Sequence, residues 1–143
     1  MSDVNSQIGY SAAQFAVRLP ATPRGARQAR LLAVEQVLAW GLSGEAPGLI
    51  VGELAANAVT HGRVAGRGFQ VGLGLDGKVL RIEVVDTCRD RVPCLRDADG
   101  DAEAGRGLVL VDALADRWGV ETGPPPWKVV WAELDGPGEP LGP

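Results

Sequence analysis

Residues 69 to 84 constrain the fold more than any other part of the chain. Phe69, Val71, Leu73 and Leu75 alternate with Gln70, Gly72 and Gly74; the pair Asp76-Gly77 follows, and Leu80, Ile82 and Val84 then alternate with Arg81 and Glu83. A period of two sends one side of a strand into a core and the other toward solvent. An Asp-Gly pair between two such runs favours the φ > 0 backbone of a tight hairpin turn. A hairpin with one apolar face is not stable alone, so the rest of the chain must supply a second layer.

That layer is readable on both sides. Thr22 followed by Pro23 is a helix opening, a capping hydroxyl and then proline at the first helical position, and the helix should run to about Trp40 with Gly41 beyond its end. A second helix is expected from about Pro47 to His61, closed by Gly62, with Ile50, Val51, Leu54 and Ala58 as its apolar stripe. A third should begin at Gly105 or Arg106 and carry Leu108, Val111 and Leu114 inward. Upstream, Phe15, Val17 and Leu19 alternate within Gln14 to Pro20; downstream, Trp118 to Thr122 and Trp127 to Leu134 read as two strands around a turn at Gly123 to Pro126. Strand, helix, helix, hairpin, long loop, helix, hairpin is the order of a two-layer α/β sandwich. Its sheet is mostly antiparallel, with the helices on one face.

A chain of 143 residues fits one domain, and one of this size buries roughly 70% of its unfolded surface. Residues 1–13 are polar and unpatterned, and 136–143 are rich in glycine and proline, so both are expected to be disordered around a domain at 14–135. A net charge of -4 argues against nucleic acid, which needs a basic surface. Arg24, Arg27 and Arg30 repeat every three residues and are expected to form the solvated face of the first helix. The N-terminus lacks a basic segment followed by an apolar one, and no run approaches the ~20 apolar residues that span a bilayer, so a cytoplasmic protein with no membrane association is expected. Cys88 and Cys94 have a single histidine in the whole chain for company and are read as idle or buried thiols, with a reversible disulfide as the alternative.

Three features carry chemistry. Glu53 and Asn57 are four apart on the second helix, so both project from one side of it. An asparagine inside a helix costs up to ~0.7 kcal/mol relative to alanine, and this one, among Ala55, Ala56 and Ala58, has no end to cap. An oxygen ligand for Mg²⁺ would account for it, with Glu53 acting on a water or hydroxyl nearby; a tolerated surface pair is the plainer alternative. Asp86 closes a run of β-branched residues and leads into the long loop Thr87 to Ala104, where a buried acid would accept a hydrogen bond from an exocyclic amine; turn chemistry is the alternative. The third feature is Gly105-Arg106-Gly107-Leu108, where glycines at a helix start admit a phosphate to free N–H groups and the positive end of the dipole. It is neither a P-loop nor the dinucleotide GxGxxG.

In this order the features resemble the N, G1 and G2 boxes of the ATP-binding GHKL superfamily. The fit is closest to the small anti-sigma-factor serine/threonine kinases and their single-domain relatives. The resemblance covers Phe15 to Leu134, including LVDALADRWG and WKVVWAEL. It implies ATP and Mg²⁺ as cofactors. Glu53 would be the general base toward a protein serine, Asn57 the Mg²⁺ ligand, and Asp86 the adenine anchor. Gly105 and Gly107 would be backbone contacts to phosphate, Arg106 between them would reach a phosphate or else be a surface arginine, Leu108 would complete the nucleotide-binding motif, and Thr87 to Ala104 would be a lid over the nucleotide. The implied partners are a sigma factor and a STAS-like antagonist protein, with a homodimer as an open question.

The chain departs from that pattern in three places. The expected DxGxG reads Asp86-Thr87-Cys88-Arg89-Asp90, with neither glycine. Cys88 is small enough to lie against a purine, while Asp90 adds charge near the phosphates and points to weaker nucleotide affinity. A threonine expected after Lys128 is Val129. The functions left standing are a serine kinase that also sequesters a sigma factor, a docking module with or without nucleotide, and a stand-alone ATPase. The acidic run DADGDAE is not an EF-hand, because Gly100 is misplaced and Leu108 stands where the loop's closing glutamate belongs. It is read as the solvated part of the loop, and His61 as a helix-end or buried histidine.

Overall fold

The computed structural model describes residues 12–61, 68–86, 102–122 and 128–136. Eight elements follow in order: β1 (Ala12–Pro20), α1 (Pro23–Ala39), α2 (Glu45–His61), β2 (Gly68–Asp76), β3 (Val79–Asp86), α3 (Ala102–Leu114), β4 (Arg117–Thr122) and β5 (Lys128–Asp135). The five strands form one sheet in the order β1-β2-β3-β5-β4, every neighbouring pair antiparallel. The expected ends at 1–13 and 136–143 and the two cysteines lie almost wholly outside the described residues. Among these residues no helix is long and apolar enough to cross a membrane.

The hairpin pleat decides which way the sheet faces. Phe69, Val71 and Leu73 on β2 and Leu80, Ile82 and Val84 on β3 are buried together with Ala132 and Leu134 of β5. All three helices cover this side. The turn sits one residue later than expected, at Gly77 and Lys78, because Asp76 pairs with Val79; Gly77 takes φ 64° there, a conformation a side chain would strain.

The helix layer follows from caps and small residues. Thr22 Oγ1 accepts the Gly25 N–H at 2.9 Å, and the helix ends at Trp40 with Gly41 at φ 86°. Ile50, Val51, Leu54 and Ala58 of α2 are buried as the stripe required, as are Ala29, Ala33 and Val37 of α1. The two helices approach closely because α2 offers glycines where α1 crosses. A Cβ at Gly48 would stand 2.8 Å from Val34 Cγ2. Helix α2 lies between α1 and α3, and it packs on β2 and β3.

The third helix begins at Ala102, not at Gly105 or Arg106. Ala102, Glu103 and Ala104 favour helix, and an acid in the first turn suits the positive end of the dipole, so the helix extends upstream of the glycines.

Candidate functional site

One end of the sheet gathers the chemistry. Pro20 pairs with Gly68, Phe69 with Asp86, Asp86 with Lys128, and Lys128 with Thr122, so these residues form a row across the sheet's end. Helix α2 finishes seven residues before β2 starts in that row. Helix α3 finishes three residues before Arg117, at the far end of β4, so its N-terminus points back toward the row. The C-terminal turns of α2, the start of α3 and Asp86 therefore share one end of the molecule.

Asp86 is buried, 3% exposed, and in phase with Leu80, Ile82 and Val84, so its carboxylate stands on the helix-covered face. Burial of an ionised acid needs compensation. Lys128 supplies part of it: its Nζ lies 3.5 Å from Asp86 Oδ2, and its side chain is 12% exposed. The position expected to carry a polar group beside this site, 129, proves to be the wrong one. Val129 pairs with Val85, and the pleat turns both to the open face of the sheet. Lys128 was missed in the sequence although its phase was a signal, since it shares parity with the buried Ala132 and Leu134.

Glu53 and Asn57 are both half-buried on α2. At about 100° per residue, Asn57 falls on the other flank of α2 from Gly48 and Gly52, which face α1, and so lies toward α3. Glu53 also borders a groove of about 380 Å³ between α1 and α2, together with Arg27, Arg30, Gly52, Ala56 and Thr60. Arg27 and Arg30 are exposed, as the solvated face required, and they also form a wall of this groove. The two residues stay neighbours about 40° apart around α2, with Glu53 on the side nearer the groove. Among the described residues no group of three or more acidic, histidine or cysteine side chains gathers as a metal site. A single asparagine oxygen completed by waters and phosphates does not need one.

Gly105, Arg106 and Gly107 lie in helical backbone, and Leu108 is half-buried beside them. With the helix starting at Ala102, the N–H groups free of intrahelical partners belong to its first turn, and Gly105 stands at the edge of that turn. The Arg106 side chain, Cys88, Asp90 and the loop at 87–101 fall outside the described part.

A family model described as "Histidine kinase-like ATPase domain" matches residues 19–132. No curated protein matches. Among solved structures, the crystal structure of the RsbU and RsbW domains of Rv1364c from Mycobacterium tuberculosis superposes with a TM-score of 0.64 at 21% identity, over 86% of this chain and 32% of that one. The chain spans about a third of that protein's length, and the likeness is one of fold.

Proposed function

We propose that this chain, which belongs to the histidine kinase-like ATPase domain family, binds ATP with Mg²⁺ at the Asp86 end of its sheet and passes a phosphoryl group to a serine of an antagonist protein. The observation that carries the reading is the burial of Asp86 on the helix-covered face, at the end of the sheet toward which the C-terminal turns of α2 and the N-terminus of α3 run. A buried carboxylate with an ammonium beside it fits the edge of an adenine, which offers a donor and an acceptor side by side.

The chain's own groups divide the work. Asp86 accepts from the exocyclic amine, with Phe69, its register partner, buried in the core beside it. Asn57 offers its amide oxygen to Mg²⁺. The first turn of α3, with Gly105 at its edge, holds the phosphates through free N–H groups and the positive end of the dipole, with Arg106, Gly107 and Leu108 following. Cys88 would lie against the base, and the lid expected at 87–104 gives up Ala102 to Ala104 to the first turn of α3. ATP supplies a transferable γ-phosphoryl group, and Glu53 takes the proton of the attacking serine hydroxyl. The partners of such a protein are a sigma factor and a STAS-like antagonist, in the cytoplasm, with a homodimer as a fitting assembly.

One observation favours a second reading. Glu53 borders the α1–α2 groove together with Arg27 and Arg30. A carboxylate placed there serves docking of a partner segment as well as proton transfer, which is the role of a module that does not turn over ATP. Transfer of labelled phosphate from ATP to candidate serine-bearing antagonists separates the two. The kinase reading expects transfer that Glu53→Gln abolishes while nucleotide binding persists. Transfer unchanged in Glu53→Gln removes the assigned base, and binding without any transfer leaves the docking module.

A further inference from the structure

Two arginines share the α1–α2 groove with Glu53, and the geometry of the helix pair sets how they face it. The helices run antiparallel: Val34 of α1 meets Gly44 and Gly48 of α2, and Arg30, one turn earlier, meets Gly48 and Gly52. The same step brings Arg27 level with Glu53. Arg30 lies down on the two glycines, its Cδ 3.4 Å from where a Cβ of Gly52 would stand and its Nε 3.7 Å from one at Gly48. A stem already laid on the helix has less rotamer freedom to lose when its guanidinium takes a partner. Ala26, Leu49 and Val59 add apolar surface to the groove. Among the described residues Arg27, Arg30 and Glu53 take part in no ion pair, whereas Arg81 and Arg117 on the open face are engaged by acids.

Two guanidiniums against one carboxylate leave the groove net positive in a chain whose net charge is -4. An occupant that suits it brings carboxylates, which a guanidinium's planar fork matches with two parallel hydrogen bonds. It also leaves Glu53 facing something uncharged, since a second acid there would be repelled. We infer that the groove seats a protein segment in which a serine is flanked by acidic residues, the acids on Arg27 and Arg30 and the serine hydroxyl beside Glu53. The place of the serine rests on the reading of Glu53 as the base given above and names the class of substrate it serves; the recognition of acids by the two arginines does not depend on it. Both arginines are exposed, so each pair with an acid contributes up to about fivefold in affinity, and salt weakens it.

The test is fluorescence-anisotropy titration of the full chain, without nucleotide, into short labelled peptides that carry one serine flanked by glutamates, by glutamines or by lysines. The glutamate peptide should bind about five- to twentyfold more tightly than the glutamine peptide at low salt, with a gap that narrows as salt rises, and the lysine peptide should bind most weakly. Arg27→Gln and Arg30→Gln should each shrink the gap and together close it, and Arg30→Glu should move the preference toward the lysine peptide. Arg24→Gln, an exposed arginine of the same helix that does not line the groove, should leave the gap as it was. Equal binding of the glutamate and glutamine peptides, no binding of any peptide, a gap that survives in the double variant, or a loss in Arg24→Gln as large as in Arg27→Gln each overturns the inference and leaves the nucleotide reading intact. The comparison of peptides on the unaltered chain needs no variant. A chain that prefers the glutamate peptide but binds no ATP would instead overturn the nucleotide reading and leave the arginines' choice of acids standing.

Discussion

Lys128 Nζ stands 3.5 Å from Asp86 Oδ2 across the ends of β5 and β3, and both charges are largely withdrawn from water. Such a pair is a weak source of net stability but a costly one to break on one side. Lys128→Met alone should lower unfolding free energy by about 3 kcal/mol, whereas Asp86→Leu with Lys128→Met should fold nearly as stably as the unaltered chain or better. Urea unfolding of the three proteins checks this. A single variant as stable as the double would mean that Asp86 draws its compensation from elsewhere.

The open face of the sheet carries a different kind of charge network, and its pH dependence has a definite sign. Arg117 reaches Glu133 at 2.9 Å and Asp135 at 2.6 Å, and Arg81 reaches Glu133 at 3.0 Å while its guanidinium lies 4.5 Å from the Trp131 ring centre. The hydrogen bond from Arg117, then that from Arg81, holds the Glu133 carboxyl below its ordinary range; the bond from Arg117 does the same for Asp135. Carboxyls depressed by folding contribute stability above their unfolded values and lose it as pH falls through the folded ones. The melting temperature should therefore drop between roughly pH 5 and pH 3, and Glu133→Gln should flatten that slope. Calorimetric melts at low salt across this interval measure it, and an unchanged slope in Glu133→Gln would remove the network from the account.

Two glycines of α2 should respond oppositely to the same substitution. Alanine favours a helix interior over glycine by about 1 kcal/mol. At Gly52 the new methyl would meet Arg30 Cδ at 3.4 Å, ordinary contact with a flexible chain, and Gly52→Ala should stabilise by a few tenths to ~1 kcal/mol. At Gly48 it would lie 2.8 Å from Val34 Cγ2 in the packed seam between α1 and α2, and overpacking costs about 1–3 kcal/mol. Gly48→Ala should therefore destabilise, as thermal or urea unfolding of the pair would show.

Much of this was legible from residue types. Thr22 as a cap, Gly41 beyond a helix end and the parity of the hairpin each act through one or two residues, and each is where the sequence put it. Asp86 was singled out as a buried acid at a strand end and is one. What was not legible depends on several residues at once. Three good helix formers moved the start of α3 upstream of its glycines. The choice between 128 and 129 depends on which strand residues pair with β3, a long-range register that no local pattern states. That Glu53 also borders a groove depends on α1 crossing where Gly48 and Gly52 allow it, a matter of packing that the four-residue spacing to Asn57 does not state.

Titration of the full chain with ATP, with and without Mg²⁺, tests the assignment of the Asp86 end most directly. Saturable binding to one site per chain is expected, strengthened by Mg²⁺ through Asn57 and weakened at least about tenfold in Asp86→Asn, which exchanges a charged acceptor for a neutral one. Binding that Asp86→Asn and Asn57→Ala leave untouched, or no binding of ATP at all, would contradict the account.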